Sequence, residues 1–64
     1  MKINTSSAPK EGAELNVMSS NLPRVGSQVE ITRGAKAVAI GIVTEHTSNK
    51  TYKVLVVMSE TGPQ

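Results

Sequence analysis

The chain has 64 residues, no cysteine, a single histidine and a formal net charge of +2. A chain this short forms one domain at most, buries only about 60% of its unfolded surface, and usually needs a disulfide, a metal or self-association for support. The composition excludes a disulfide and argues against a zinc site, which needs several histidine or cysteine ligands, and the small charge does not by itself indicate a nucleic-acid partner.

The beginning of the chain is polar. Residues 1–14 are rich in serine, lysine and glutamate and contain the breakers Pro9 and Gly12, so the sequence predicts a flexible arm there. The short apolar island 15–18 is either a strand or a tether that packs on the domain. Residues 15–60 are expected to form one small β-domain, and residues 61–64 a frayed tail.

Three strands are predicted in the second half. Residues 28–33 alternate between the apolar Val29 and Ile31 and polar neighbours, which is the pattern of a half-buried strand. Gly34 follows at a turn position, where a positive φ has no steric cost for glycine. The β-branched segments 38–45 and 51–59 predict two longer strands joined by a loop of about four residues. The predicted fold class is therefore all-β, either a small barrel or a twisted antiparallel sheet with a flexible N-terminal arm.

Both faces of the two longer strands are apolar. Successive side chains point to opposite sides of a strand, so one set can form the core while the other is left over. Burying one such side chain contributes roughly 1.5–3 kcal/mol, so the left-over set is predicted to be an interface unless residues 15–18 cover it within the same chain. The left-over set consists of Val38, Ile40, Ile42, Leu55 and Val57.

The spacing of glycines, apolar pairs and basic residues within 25–58 resembles the KOW motif of small SH3-like barrels. The residues that carry the resemblance are Gly26, Val29, Ile31, Arg33, Gly34, Lys36, Gly41 and Val43. The chain departs from the family pattern at Val38, where the family usually has a glycine, and its loop is less basic. The resemblance implies an SH3-like barrel that binds RNA, DNA or a protein.

A nucleic-acid interface is the alternative for the basic residues of this domain. If the loop after the first strand lies near the hairpin turn, they gather into a phosphate-binding patch; otherwise they are solubilising surface charges. Tyr52 is the only aromatic residue and is expected in the core or an interface, so base stacking is not expected. The basic residues are Arg33, Lys36, Lys50 and Lys53.

Two functions follow as hypotheses. The first is a non-enzymatic assembly or adaptor module that self-associates or docks on a larger protein complex through an apolar strand face. The second is a KOW-like module that binds the RNA or DNA backbone. An enzyme is not expected, because the sequence shows no catalytic residue set, metal site or cofactor motif. No apolar run reaches the ~20 residues of a membrane helix, so the expected location is the cytoplasm, or the particle or host cytoplasm for a viral protein.

Overall fold

The computed structural model describes residues 2–60, and this part of the chain is all-β, which confirms the predicted fold class. Five strands form one curled sheet in the spatial order β1-β3-β4-β5-β2. Their bounds are β1 Lys2–Asn4, β2 Glu14–Met18, β3 Gln28–Arg33, β4 Lys36–Ser48 and β5 Thr51–Ser59. The predicted tail, 61–64, lies outside the described residues. Residues 2–60 contain no helix that would cross a membrane.

Strands β3, β4 and β5 form an antiparallel meander at the centre of the sheet. β3 and β5 have the predicted bounds, whereas β4 is longer than the predicted 38–45. The connection between β4 and β5 is therefore only Asn49 and Lys50, not four residues. The polar end of β4 stays extended because its backbone pairs with β5 as far as Ser48 and Thr51, and backbone pairing of this kind leaves no mark on the hydrophobic pattern.

The N-terminal segment differs from the predicted flexible arm. Residues 2–4 form β1, which pairs in parallel with β3 at one edge of the sheet. The Oδ1 atom of Asn4 accepts hydrogen bonds from the backbone N–H of Gly34 (3.0 Å) and from the hydroxyl of Thr32 (3.2 Å). Gly34 has φ +64° in the β3–β4 turn, the positive value predicted for it. The start of the chain is thus tied to the first turn of the meander.

The segment between β1 and β2 closes one end of the inner face. The backbone N–H of Gly12 donates to the carbonyl of Val56 (2.7 Å), and the hydroxyl of Ser59 donates to the carbonyl of Pro9 (2.6 Å). Two alanines of this segment, Ala8 and Ala13, pack against buried residues of the meander. The segment therefore packs as part of the same domain.

The core lies on the inner face of the curled sheet in two clusters. The first is Val29, Val43, Tyr52 and Val54, packed by Ile3, Leu15, Val17 and Leu22. The second is Ile31, Val38, Ala39 and Val56, packed by Ala8, Ala13 and Leu15. Tyr52 is only 2% exposed, which fits the expectation that this side chain is buried. Because the remaining core side chains are aliphatic, the fit between neighbouring strands has to be close.

Gly41 marks the point where β4 and β5 leave no room for a side chain. A Cβ atom on Gly41 would overlap Cγ1 of Val54 and lie 3.1 Å from the carbonyl oxygen of Leu55. The φ angle of Gly41 is not positive, so the requirement is close packing and not an unusual backbone conformation. Because Gly41 has no side chain, the fully buried Val54 can occupy the space where a Cβ atom would lie.

Candidate functional site

The face of the sheet opposite the core carries a group of apolar side chains on β4 and β5. Antiparallel pairing sets Ile42 beside Leu55 and Ile40 beside Met58. Ile40, Ile42 and Leu55 are half-buried, whereas Val57 and Met58 are 39% and 61% exposed. These five residues are called the outer patch. Contiguous apolar surface of this kind marks interaction sites on small soluble domains.

A β-bulge explains why two consecutive residues of β5 belong to the outer patch. Met58 pairs with Ile40, but the next pair is Gly41 with Val56, so Val57 is the extra residue. Val56 is 1% exposed on the inner face, while Val57 and Met58 are both open to solvent. Strict alternation along β5 would place Met58 on the core face, but the bulge turns it to the outer face. No residue type in this segment signals the bulge.

Val38 does not lie on the outer face, contrary to the sequence prediction. The pairing of β3 with β4 shifts register, because Ile31 pairs with Ala39 whereas Thr32 pairs with Ala37. Val38 is the extra residue of this bulge and joins Ala39 on the inner face, where it is 2% exposed. The other four predicted interface residues share the outer face: Ile40, Ile42, Leu55 and Val57.

Residues 15–18 do not cover the outer patch. The alternative in which the same chain hides this surface is therefore not what the structure shows. They lie in β2, whose pairing with β5 turns Leu15 and Val17 toward the core. Met18 is 82% exposed and is paired with Thr51 at the far end of β5. The N-terminal segment therefore completes the inner face and leaves the outer patch open.

Polar side chains border the outer patch. Cross-strand pairing places Glu30 and Gln28 of β3 on one side of it and Glu14 of β2 on the other. At the end nearer the β4–β5 turn, Nζ of Lys53 lies 3.5 Å from Oε1 of Glu45. An apolar centre with a polar rim is the usual anatomy of a protein interface.

The four basic residues proposed for nucleic-acid binding do not form one cluster. Arg33 and Lys36 flank the β3–β4 turn, whereas Lys50 lies in the β4–β5 turn at the opposite end of β4. Nζ of Lys36 lies 3.1 Å from Oε2 of Glu60, and Lys53 has its own glutamate partner. The condition for a shared phosphate-binding patch, two neighbouring turns, is therefore not met.

Among the described residues, the side chains that could bind a metal or take part in catalysis are dispersed. Residues 2–60 bring together no group of three or more metal-ligating side chains. The Nε2 atom of His46 contacts the carbonyl oxygen of Pro23, so the one histidine holds a loop against β4. A surface concavity of about 270 Å³ is lined by Met18, Ser19, Ser20 and Lys50. Small-molecule pockets are mostly larger, roughly 300–1,000 Å³, and enclosed by several convergent polar groups. The outer patch is the better candidate site.

Five of the residues that carry the KOW-like spacing have structural roles. Val29, Ile31 and Val43 are buried, and Gly26 and Gly34 have positive φ values. No family model, no curated protein and no solved structure matches this chain. The geometry of the outer patch is therefore the basis for a functional proposal.

Proposed function

We propose that this chain is a non-enzymatic assembly module that binds a protein surface, its own or that of a larger complex, through the outer patch. The observation that carries the proposal is the exposure of Val57 and Met58 beside three half-buried aliphatic side chains. Leu15 and Val17 pack on the other face, and Met18 lies at the far end of β5. A polar rim of both charges borders the patch, as in protein interfaces.

The energetics favour burial of this surface by a partner. Removing apolar surface from water contributes about 25 cal/mol per Å², and Met58 and Val57 have the most surface to lose. The side chains of the outer patch stand on β4 and β5, which pair along nearly their whole length. Because that pairing already fixes their backbone, binding orders few additional groups.

The test compares Val57→Lys with Val25→Lys. Both variants replace an exposed valine with lysine, but Val25 lies in the loop before β3 and is not one of the outer-patch residues. We expect Val57→Lys to abolish protein binding and Val25→Lys to preserve it, because only the first places a charge in the interface. The measurement is retention of free copies of the chain and of native-lysate proteins on each immobilised variant, with circular dichroism as the folding control. Equal retention by the two variants would contradict the proposal.

Nucleic-acid binding receives less support from the described residues. The basic side chains lie at two ends of β4, and two of them are paired with glutamates. Any contact with a nucleic acid would therefore be a weak backbone contact that falls steeply with salt. A titration of labelled RNA and DNA at low and high salt decides this alternative. Binding at low salt that Lys36→Glu removes would revive it.

A further inference from the structure

We infer that the partner of the outer patch is a second copy of this chain, packed outer face to outer face. The two-fold axis runs parallel to β4 and β5 and passes between them. This inference rests on the proposed function and names its partner. Homodimers of this kind use the same surface on both subunits, and two sheets packed face to face with roughly aligned strands, about 10 Å apart, form a β-sandwich.

The cross-strand register makes the outer patch complementary to itself. A two-fold axis parallel to the strands exchanges the positions of β4 and β5, so each β4 side chain meets the second copy of its own β5 neighbour. Ile42 pairs with Leu55 within the chain and therefore faces Leu55 of the second copy. Ile40 and Met58 are related in the same way. Apolar side chains thus meet apolar side chains across the centre of the dimer.

The polar rim is complementary under the same symmetry. Lys53 and Glu45 are cross-strand partners within the chain, so the axis sets Lys53 of each copy over Glu45 of the other. Glu14 and Gln28 flank the row that contains Ile42 and Leu55, so the same axis sets the Glu14 side of one copy opposite the Gln28 side of the other. Two reciprocal ion pairs then border the apolar centre.

The dimensions of the molecule suit this assembly. It measures 31 × 22 × 15 Å, which leaves room on its broad face for contacts along β4 and β5. Because the sheet is curled, the contact is centred on β4 and β5, where the outer patch lies. Dimerisation also supplies the support that a single-layer sheet of this size needs in the absence of disulfides.

The first experiment measures mass in solution by light scattering over a range of protein concentrations. We expect the wild-type chain and Val25→Lys to approach twice the chain mass of 6.8 kDa as concentration rises, and Val57→Lys to stay at the monomer mass. A wild-type chain that is monomeric at every concentration would overturn the inference. So would a dimer that Val57→Lys leaves intact.

The second experiment tests the axis itself by mixing two charge variants, Lys53→Glu and Glu45→Lys. Each homodimer then faces like charges across the axis, which is expected to weaken it at least ~10-fold. In a mixed dimer, the introduced glutamate of one variant faces the introduced lysine of the other, and the unchanged Glu45 faces the unchanged Lys53. The mixture is therefore expected to regain the wild-type affinity. Mixing leaves the contacts within each chain unchanged, so only pairing between copies produces this rescue.

Native mass spectrometry with one variant ¹⁵N-labelled counts the mixed dimers. An excess of mixed over like dimers supports the inference, and a statistical mixture overturns it. The outcomes also separate this inference from the proposed function. One outcome is a monomeric wild-type chain that retains lysate proteins, as Val25→Lys does, while Val57→Lys does not. The outer patch then binds a different protein, and only the dimer is wrong. If neither self-association nor patch-dependent retention occurs, both fail.

Discussion

Tyr52 links the stability of the sheet to alkaline pH. Burial raises the pKa of Tyr52 above its ordinary value of 10.0, so the folded chain holds the phenol proton more tightly than the unfolded chain does. The associated stability is fully present below about pH 10 and is lost as pH rises through the folded-state pKa. We expect the free energy of unfolding to fall between about pH 8 and about pH 11, and to fall less in Tyr52→Phe.

The measurement is urea denaturation of both proteins at the two pH values. Lysine titration is common to wild type and variant, and any pH-independent cost of removing the hydroxyl cancels when the two pH values are compared. The difference in slope therefore belongs to Tyr52. As Tyr52 is the only tyrosine in the chain, tyrosinate absorbance follows the same ionisation directly. An equal loss of stability in Tyr52→Phe would show that the phenol does not contribute.

Gly41 is a position where one methyl group should be costly. The Cβ of Gly41→Ala would overlap Cγ1 of Val54, and overpacking of a core costs typically 1–3 kcal/mol. We expect Gly41→Ala to lower the free energy of unfolding by about 2 kcal/mol and to cost much less when Val54 is also replaced by alanine. Urea denaturation of the two single variants and the double variant measures this coupling. Additive costs would mean that the two side chains do not compete for the same space.

At the scale of single residues, alternation assigned most side chains to the correct face. It predicted Ile40 and Ile42 on one face of the sheet and Val54 and Val56 on the opposite face. The structure places the first pair on the outer face and the second pair in the core. Alternation is wrong at Val38, because each β-bulge adds a residue and turns the following one back to the same side. Bulges arise from pairing between strands, so the sequence of one strand does not contain them.

At the scale of elements, the Asn4 side chain supplies two of the hydrogen bonds that hold β1 against β3 and the β3–β4 turn. Asn4→Ala deletes the acceptor for the Gly34 N–H and one of the two acceptors of the Thr32 hydroxyl, the other being the carbonyl oxygen of Ile3. A net loss of about 1 kcal/mol in the free energy of unfolding is expected, since each such bond contributes roughly 0.5–1.5 kcal/mol and water replaces part of it. Asn4→Asp keeps the oxygen and serves as the matched control.

Amide hydrogen exchange at Gly34 gives a local reading of the same change. Exchange is expected to speed up in Asn4→Ala and to stay near the wild-type rate in Asn4→Asp, because only the alanine variant frees the Gly34 N–H. Equal exchange rates in the two variants would show that β1 docks without this bond.

The elements that the sequence predicted best are those with their own hydrophobic pattern. β3 and β5 have the predicted bounds, since β-branched residues are enriched in strands. β1 has three residues, too few for a period to be recognised, and its pairing with β3 joins segments far apart in the chain. The polar end of β4 is likewise extended by pairing with β5 and not by its own composition.

At the scale of the whole molecule, the proposed dimer makes unfolding depend on concentration. If only the folded chain associates, mass action adds to its stability as concentration rises. We expect the melting temperature of the wild-type chain to rise by a few degrees for each roughly tenfold increase in concentration. Val25→Lys should behave in the same way, whereas the melting temperature of Val57→Lys should be constant. A constant value for the wild-type chain would contradict the dimer.

The amino-acid sequence was enough to predict an all-β domain and an excess of apolar strand surface, because β-branched residues favour strands and one small core cannot hide both faces of β4 and β5. Which side chains form that excess depends on how the strands pair. Strand pairing introduced the bulges that bury Val38 and expose Met58. It also placed the N-terminal segment on the inner face and the basic turns at opposite ends of β4. These features depend on contacts between distant segments, and such contacts exist only once the sheet has formed.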